Sequence, residues 1–273
     1  MANAENLCEL YEKYNRREFV HPDPLEFLYD YKELRDREIV GLIASCLAYG
    51  AVRQILKSVS AVLKRMESPY EFLRTTDRDS LLEIFKEFKH RFTTGEELAT
   101  MLWGVKLALE KFGSLKECFE MGLKPEHDNI TPALADFARE LSSPFERRPR
   151  SLLPSPDLGS ACKRLNLFLR WMVRIDAVDP GGWDDVPRTK LIIPLDVHMH
   201  RISRQLGLTT RKQADLRTAY EITAAFRKIE PEDPIRYDFV LTRLGIRDDL
   251  DPEEFLQSCR MKASEGKGAY RPT

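Results

Sequence analysis

The stretch REIVGLIASCLAYG, residues 37–50, is apolar on nearly every side, and a helix of that kind must lie inside a protein. It stops at Gly50, a residue that commonly ends helices. A chain with one such central helix has to surround it, and the following segments supply the surround. In AVRQILKSVSAVLKRM, residues Val52, Ile55, Leu56, Val59, Val62, Leu63 and Met66 share one 3.6-residue face. DSLLEIFKEFKHRF and EELATMLWGVKLALEKFG repeat the pattern on either side of a Thr93-Thr94-Gly95 turn. SACKRLNLFLRWMVR sets Leu165, Phe168, Leu169 and Met172 on one face, with Lys163, Arg164, Arg170 and Arg174 elsewhere on its surface and Trp171 read as core. Two more helices are expected near residues 214–229 and 234–245. No clean period-two alternation runs beyond a few residues, so the predicted fold class is all-α.

Between these helices, residues 122–160 mix a short helical piece (132–141) with a Pro/Ser-rich, Arg-bearing connector. That reads as a seam near 140–160 between two helical lobes of a single domain spanning 1–273. The second lobe would cover 160–246, and 262–273 reads as a frayed tail. With 273 residues, 42% of them apolar, the chain is long enough to bury a real core. No apolar run approaches the ~20 residues of a membrane helix. The opening MANAENLCELYEKY carries acids where a leader would be basic or apolar, so a cytoplasmic location is expected. Five cysteines lie far apart with no CxxC pair, which points to reduced thiols and away from a zinc ribbon or disulfide framework.

The net charge of −1 conceals an asymmetry: residues 160–228 hold 13 Lys/Arg against 7 Asp/Glu, and residues 229–273 hold 7 against 10. A basic stretch of that kind suits a phosphate backbone, and it equally suits a solvated helix face. Within it lies IIPLDVHMHR, residues 192–201. Pro194 keeps the approach to Leu195 extended. From there Leu195, Met199, Ile202 and Leu206 share a helical face that Gly207 ends. Asp196 then falls at the helix start and has three readings. It is a helix cap, a metal ligand beside His198 and His200, or a catalytic carboxylate. Helical spacing counts against the metal, because residues two apart on a helix point roughly 200° apart. No metal is expected.

The third reading rests on a resemblance. PLDVHMHR is similar, at Asp196, His198 and Arg201, to the V-D-T-H-V-x-R step of the helix-hairpin-helix (HhH-GPD) DNA glycosylase superfamily. The helix ACKRLNLFLRW is similar to the family helix that carries the Schiff-base lysine, IVGLIASCLAYGAVRQI to the buried helix ending at the lesion pocket, and YDFVLTRLG to the last core helix. Within that superfamily the chain most resembles a bacterial domain-of-unknown-function branch of the DUF2400 type and, at greater distance, the archaeal 8-oxoguanine glycosylases.

The resemblance implies a two-lobed helical fold and a base-excision DNA glycosylase with AP-lyase activity, favouring an 8-oxoguanine-like lesion in duplex DNA. It implies Lys163 as nucleophile, Asp196 as catalytic acid, and Tyr49 and His198 in the substrate pocket; Trp183, placed in the pocket too, follows Gly181 and Gly182, and that Gly-rich loop makes it the candidate base wedge or lid. Gly159 would present backbone N–H groups to a phosphate. Arg164, Arg201, Arg204, Arg211 and Lys212 would contact the DNA backbone. His90 and Arg91 are further pocket candidates. No cofactor is expected, since only Cys259 lies where the family's four-cysteine iron–sulfur loop would be, and a monomer is favoured.

The hairpin departs from the family pattern: LPSPDLGSACKRL retains only Gly159. Alignment on Pro156 and Gly159 would place Ala161 at the nucleophile position. Alignment on the helix places Lys163 there and is preferred, because loop lengths vary more readily than a packed face. Two other functions stay open at this point. One is a non-catalytic nucleic-acid-binding protein with a degenerate hairpin, and the other is a metal-dependent hydrolase using Asp196, His198 and His200.

Overall fold

The computed structural model describes residues 4–146 and 152–244, together with Phe255 and Gln257. The described residues are mostly helical. In chain order the helices are α1 (Ala4–Tyr14), α2 (Leu34–Cys46), α3 (Val52–Leu63), α4 (Pro69–Thr75), α5 (Arg78–Phe85), α6 (Gly95–Phe112), α7 (Leu115–Glu120), α8 (Thr131–Leu141), α9 (Lys163–Val173), α10 (Val197–Gln205), α11 (Leu216–Arg227) and α12 (Asp238–Arg243). No described helix is long and apolar enough to cross a membrane.

The central helix is where its composition puts it. In α2 every residue from Glu38 to Cys46 is buried, and α9 packs along it. Gly41 allows the close approach: a Cβ there would stand 3.3 Å from the Phe168 ring and 3.4 Å from the Met172 sulfur. On α9 the predicted face of Leu165, Phe168, Leu169 and Met172 is fully buried, and so is Trp171. On α10 all four expected face residues, Leu195 through Leu206, are buried, and Gly207 ends the helix at φ +73°. One contiguous apolar core extends from Leu7 to Leu244, and on the far side of the connector Leu152 and Leu153 already belong to it. Residues 147–151 of the expected seam, the tail at 262–273 and Cys259 lie outside the described residues.

Two departures from expectation have clear causes. The helix begun by DSLLEIF ends at Phe85, because Lys89–His90 turns to pair antiparallel with Thr93–Thr94. His90 is what holds that turn inward, as its fully buried ring bonds Ser58 Oγ at 2.9 Å and the Tyr49 carbonyl at 3.1 Å. Thr94 then opens α6 with a capping box completed by Glu97.

The second departure is larger. Arg170 and Arg174, expected on the surface of α9, are each only 2% exposed. Arg170 bonds Asp179 at 3.1 Å and Asp238 at 2.6 Å. Arg174 bonds Asp176 at 2.8 Å, Asp233 at 2.9 Å and also Asp179. Buried charges persist only when paired and hydrogen-bonded, and these partners come from the loop after α9, from the approach to α12 and from its first residue.

Candidate active site

The start of α9 and the start of α10 meet at a cleft of about 680 Å³, within the size range of small-molecule sites. Lys163 opens α9 and Asp196 caps α10. Asp196 Oδ1 accepts the Met199 N–H at 2.8 Å, which is the cap, while Oδ2 lies 3.1 Å from Lys163 Nζ. The cap and the cleft carboxylate are therefore one group using its two oxygens separately. Burial alone would push the Asp196 carboxyl up, but the Lys163 ammonium and the Met199 N–H outweigh it, so the group sits below the usual carboxylate range. The pair is partly open, with Lys163 34% and Asp196 18% exposed at the side chain.

Tyr49, Arg164 and His198 line the same cleft. The Tyr49 hydroxyl donates to the His90 carbonyl at 2.8 Å and meets Thr93 Oγ1 at 2.7 Å, so the small hairpin fixes the ring. The Arg164 guanidinium lies over that ring, 4.9 Å from its centroid, and donates to the Cys46 carbonyl at 2.9 Å. A cation belongs there, since the C-terminal end of α2 is the negative end of its dipole. This corrects the expectation for Arg164, whose group is held against the cleft wall by Tyr49 and α2 and does not reach outward to a backbone. His90 supports Tyr49 from behind and does not line the cleft, and burial holds its imidazole below the usual range.

Trp183 is also corrected. It is fully buried, packed against Phe119 and Phe168, and its indole N–H donates to Glu38 Oε2 at 3.2 Å. A ring so enclosed is a core side chain and neither wedge nor lid. The glycines beside it suggested exposure, yet they only bend the loop so that the ring reaches the core.

Gly159 is exposed at φ +73°, and its carbonyl accepts the Leu216 N–H at 3.2 Å. Arg201, Arg204 and Lys212 are exposed, and Arg201 and Arg204 line a second groove with His200 and Thr209. Arg211 is instead tied to Asp215 at 2.7 Å and to Thr218. His200 bonds the Arg211 carbonyl at 3.0 Å on the groove side, while Asp196 and His198 face the cleft. The three residues of the metal reading thus do not converge, and among the described residues no group of three His, Cys, Asp or Glu side chains is placed to hold a metal ion.

Two charged cleft residues escaped the sequence reading, Asp23 and Arg243. The signal for the first was HPDP, in which prolines stiffen the backbone on both sides of an acid placed to cap the short 3₁₀ turn Pro24–Asp30. Arg243 carried no local signal.

A helical protein with a lysine–aspartate pair set into a cleft between two helix starts is the class that fold and site define. The family model described as "Protein of unknown function (DUF2400)" matches residues 23–247, and the chain belongs to that family. Searches of curated proteins and of solved structures each return no match.

Proposed function

We propose that the cleft is the active site of a DNA base-excision glycosylase with AP-lyase activity, acting on an oxidised base such as 8-oxoguanine. The observation that carries the reading is the 3.1 Å contact between Lys163 Nζ and Asp196 Oδ2 in a cleft large enough for an extruded nucleotide. The resemblance of the Asp-containing step and the lysine helix to HhH-GPD glycosylases supports it.

The chemistry follows from the pair. Asp196 takes a proton from Lys163, and the amine lone pair attacks C1′ of the extruded nucleotide. The C1′–N bond breaks, and its electron pair leaves with the base, which takes up a proton. Opening of the sugar ring leaves an imine between Nζ and C1′, and loss of a 2′ proton expels the 3′ phosphate. Asp196 passes the proton it took from Lys163 to the departing base and, ionised again, stabilises positive charge at C1′. Tyr49 offers an aromatic face to the base, and Arg201, Arg204 and Lys212 are exposed cations for the phosphates on either side.

Borohydride trapping on duplexes carrying 8-oxoguanine or an abasic site tests this. A covalent adduct is expected with the wild type, none with Lys163→Ala, and a much weaker one with Asp196→Asn. Absence of any wild-type adduct, with salt-sensitive duplex binding retained, would overturn the lyase assignment. It would favour a non-catalytic DNA-binding protein, a reading that the exposed Gly159 turn, in place of the family hairpin, also supports.

A further inference from the structure

Besides the lysine–aspartate pair, the cleft lining holds a second acid–cation pair that the proposed chemistry does not use. Asp23 and Arg243 both line the cleft and are bonded to each other, Asp23 through Oδ2. The Asp23 side chain is 15% exposed, and its Oδ1 accepts the Leu25 N–H at 2.9 Å, so the carboxylate cannot swing. Arg243, 2% exposed, is equally fixed: it donates to the Val20 carbonyl at 3.3 Å and its guanidinium lies 4.9 Å from the Phe239 ring centroid. Its Nε, buried, has no hydrogen-bond partner among the described residues.

Arg243 is as buried as Arg170, yet it and Asp23 border the cleft. The pair is thus part of a cavity wall, and the Asp23 oxygens each keep a further acceptor site. A rigid carboxylate acceptor beside a rigid guanidinium donor is complementary to a planar edge that carries an N–H next to a carbonyl. Asp and Glu accept from base N–H groups, and Arg donates to guanine O6, in the pairings that nucleic-acid readers use.

We propose that Asp23 and Arg243 form the base-recognition subsite of the cleft and take the N7 edge of a purine whose N7 carries a proton near the carbonyl at C6. This inference rests on the glycosylase reading and gives it a substrate class. On the N7 side, guanine offers two acceptors, of which N7 would oppose the Asp23 carboxylate. An 8-oxopurine carries a proton at N7 and presents a donor beside O6, so a base entering by its N7 edge is accepted when oxidised and rejected when intact. A site built to bond a substrate N–H discriminates strongly against an analogue that lacks it.

The test uses the full chain and the isosteric Asp23→Asn, which keeps an oxygen for the Leu25 N–H and removes the charge. Two substrates separate the roles: a duplex with 8-oxoguanine, whose base must be read, and a duplex with a preformed abasic site, which has no base. The expected result is at least a tenfold loss in the single-turnover rate of base release, with trapping on the abasic duplex unchanged. Unchanged base release would overturn the proposal, and so would an equal loss on both substrates, which marks a structural role. A second measurement, binding of free 8-oxoguanine against guanine by calorimetry to wild type, Asp23→Asn and Arg243→Lys, does not depend on lyase chemistry. Preferential binding of the oxidised base that both variants lose would uphold the subsite even if the wild type gave no covalent adduct, and equal binding of both bases by the wild type would sink it. A wild type that binds the oxidised base and never releases it from DNA would fail the glycosylase reading alone.

Discussion

Helix α9 carries cations at both ends, and the two ends treat them in opposite ways. At its C-terminal end Arg170 and Arg174 are almost wholly buried among Asp176, Asp179, Asp233 and Asp238. At its N-terminal end Lys163 meets a single acid and remains a third exposed. In the buried cluster each guanidinium has several carboxylates, so its donors are largely spent on holding three chain segments together. In the cleft one ammonium faces one carboxylate and has donors to spare. The same helix thus separates a charge used for architecture from one available to a ligand, and the difference lies in the number of partners and the access of water.

That contrast can be broken experimentally, beginning at the buried end. Arg174→Met leaves Asp233 without its ion-pair partner and Asp179 with Arg170 alone, and urea unfolding should show a loss of about 3–5 kcal/mol. A loss under about 1 kcal/mol would mean that the cluster is not structural. A buried acid elsewhere sharpens the point through pH. Burial pushes Glu38 up to about 7, even though the N–H groups of Leu115, Trp183 and Lys116 pull it down. The folded state therefore holds this proton more tightly than the unfolded chain. The contribution is full below the ordinary carboxylate range and is lost as the pH rises through about 7. The destabilisation caused by Glu38→Gln should accordingly be smaller at about pH 8 than at about pH 5, by on the order of 2–3 kcal/mol. A constant difference between wild type and variant across that window would contradict the assignment.

The cleft end should respond far less in stability. Asp196→Ala removes the α10 cap and should cost about 1 kcal/mol, whereas Asn is as good a cap as Asp and should cost a few tenths at most. Chemical denaturation of the two variants beside their trapping yields then separates the cap from the carboxylate. If both were equally unstable, the charge and not the cap would be the stabilising part. Lys163→Ala should likewise shift the unfolding free energy little, by under about 1 kcal/mol, because a partly solvated pair is screened. Its trapping should vanish all the same.

The helices and their buried faces were legible because helical period leaves a local record. The α10 face from Leu195 to Leu206 and the α9 face from Leu165 to Met172 were both read residue by residue. Asp196 could be read as a cap for the same reason, and its place beside Lys163 came through resemblance. Long-range charge pairing leaves no such record. Arg170 looks like any polar residue on an amphipathic helix until Asp238 arrives from a distant segment, and Arg243 looks like part of α12 until Asp23 does. Trp183 was misjudged because a Gly-Gly step was taken as a sign of exposure, when the deciding partner, Glu38, lies on the central helix. The hairpin at His90 was hidden inside an apparently helical run, since the buried contacts of one histidine overrode the period.

Gly41 has a bearing on the cleft that no contact with it would reveal. It sets the spacing between α2 and α9, and the near ends of those helices present Tyr49 and Lys163 to the same cavity. A methyl group there would have to displace Leu28 and Phe168 by a few tenths of an ångström, or else lever α9 outward. In the second case the lysine would shift against its aspartate while the fold survived. A survey of inactive but folded variants would then return this glycine beside the ionisable residues, because the distance between two helices here is also the tolerance of a chemical site.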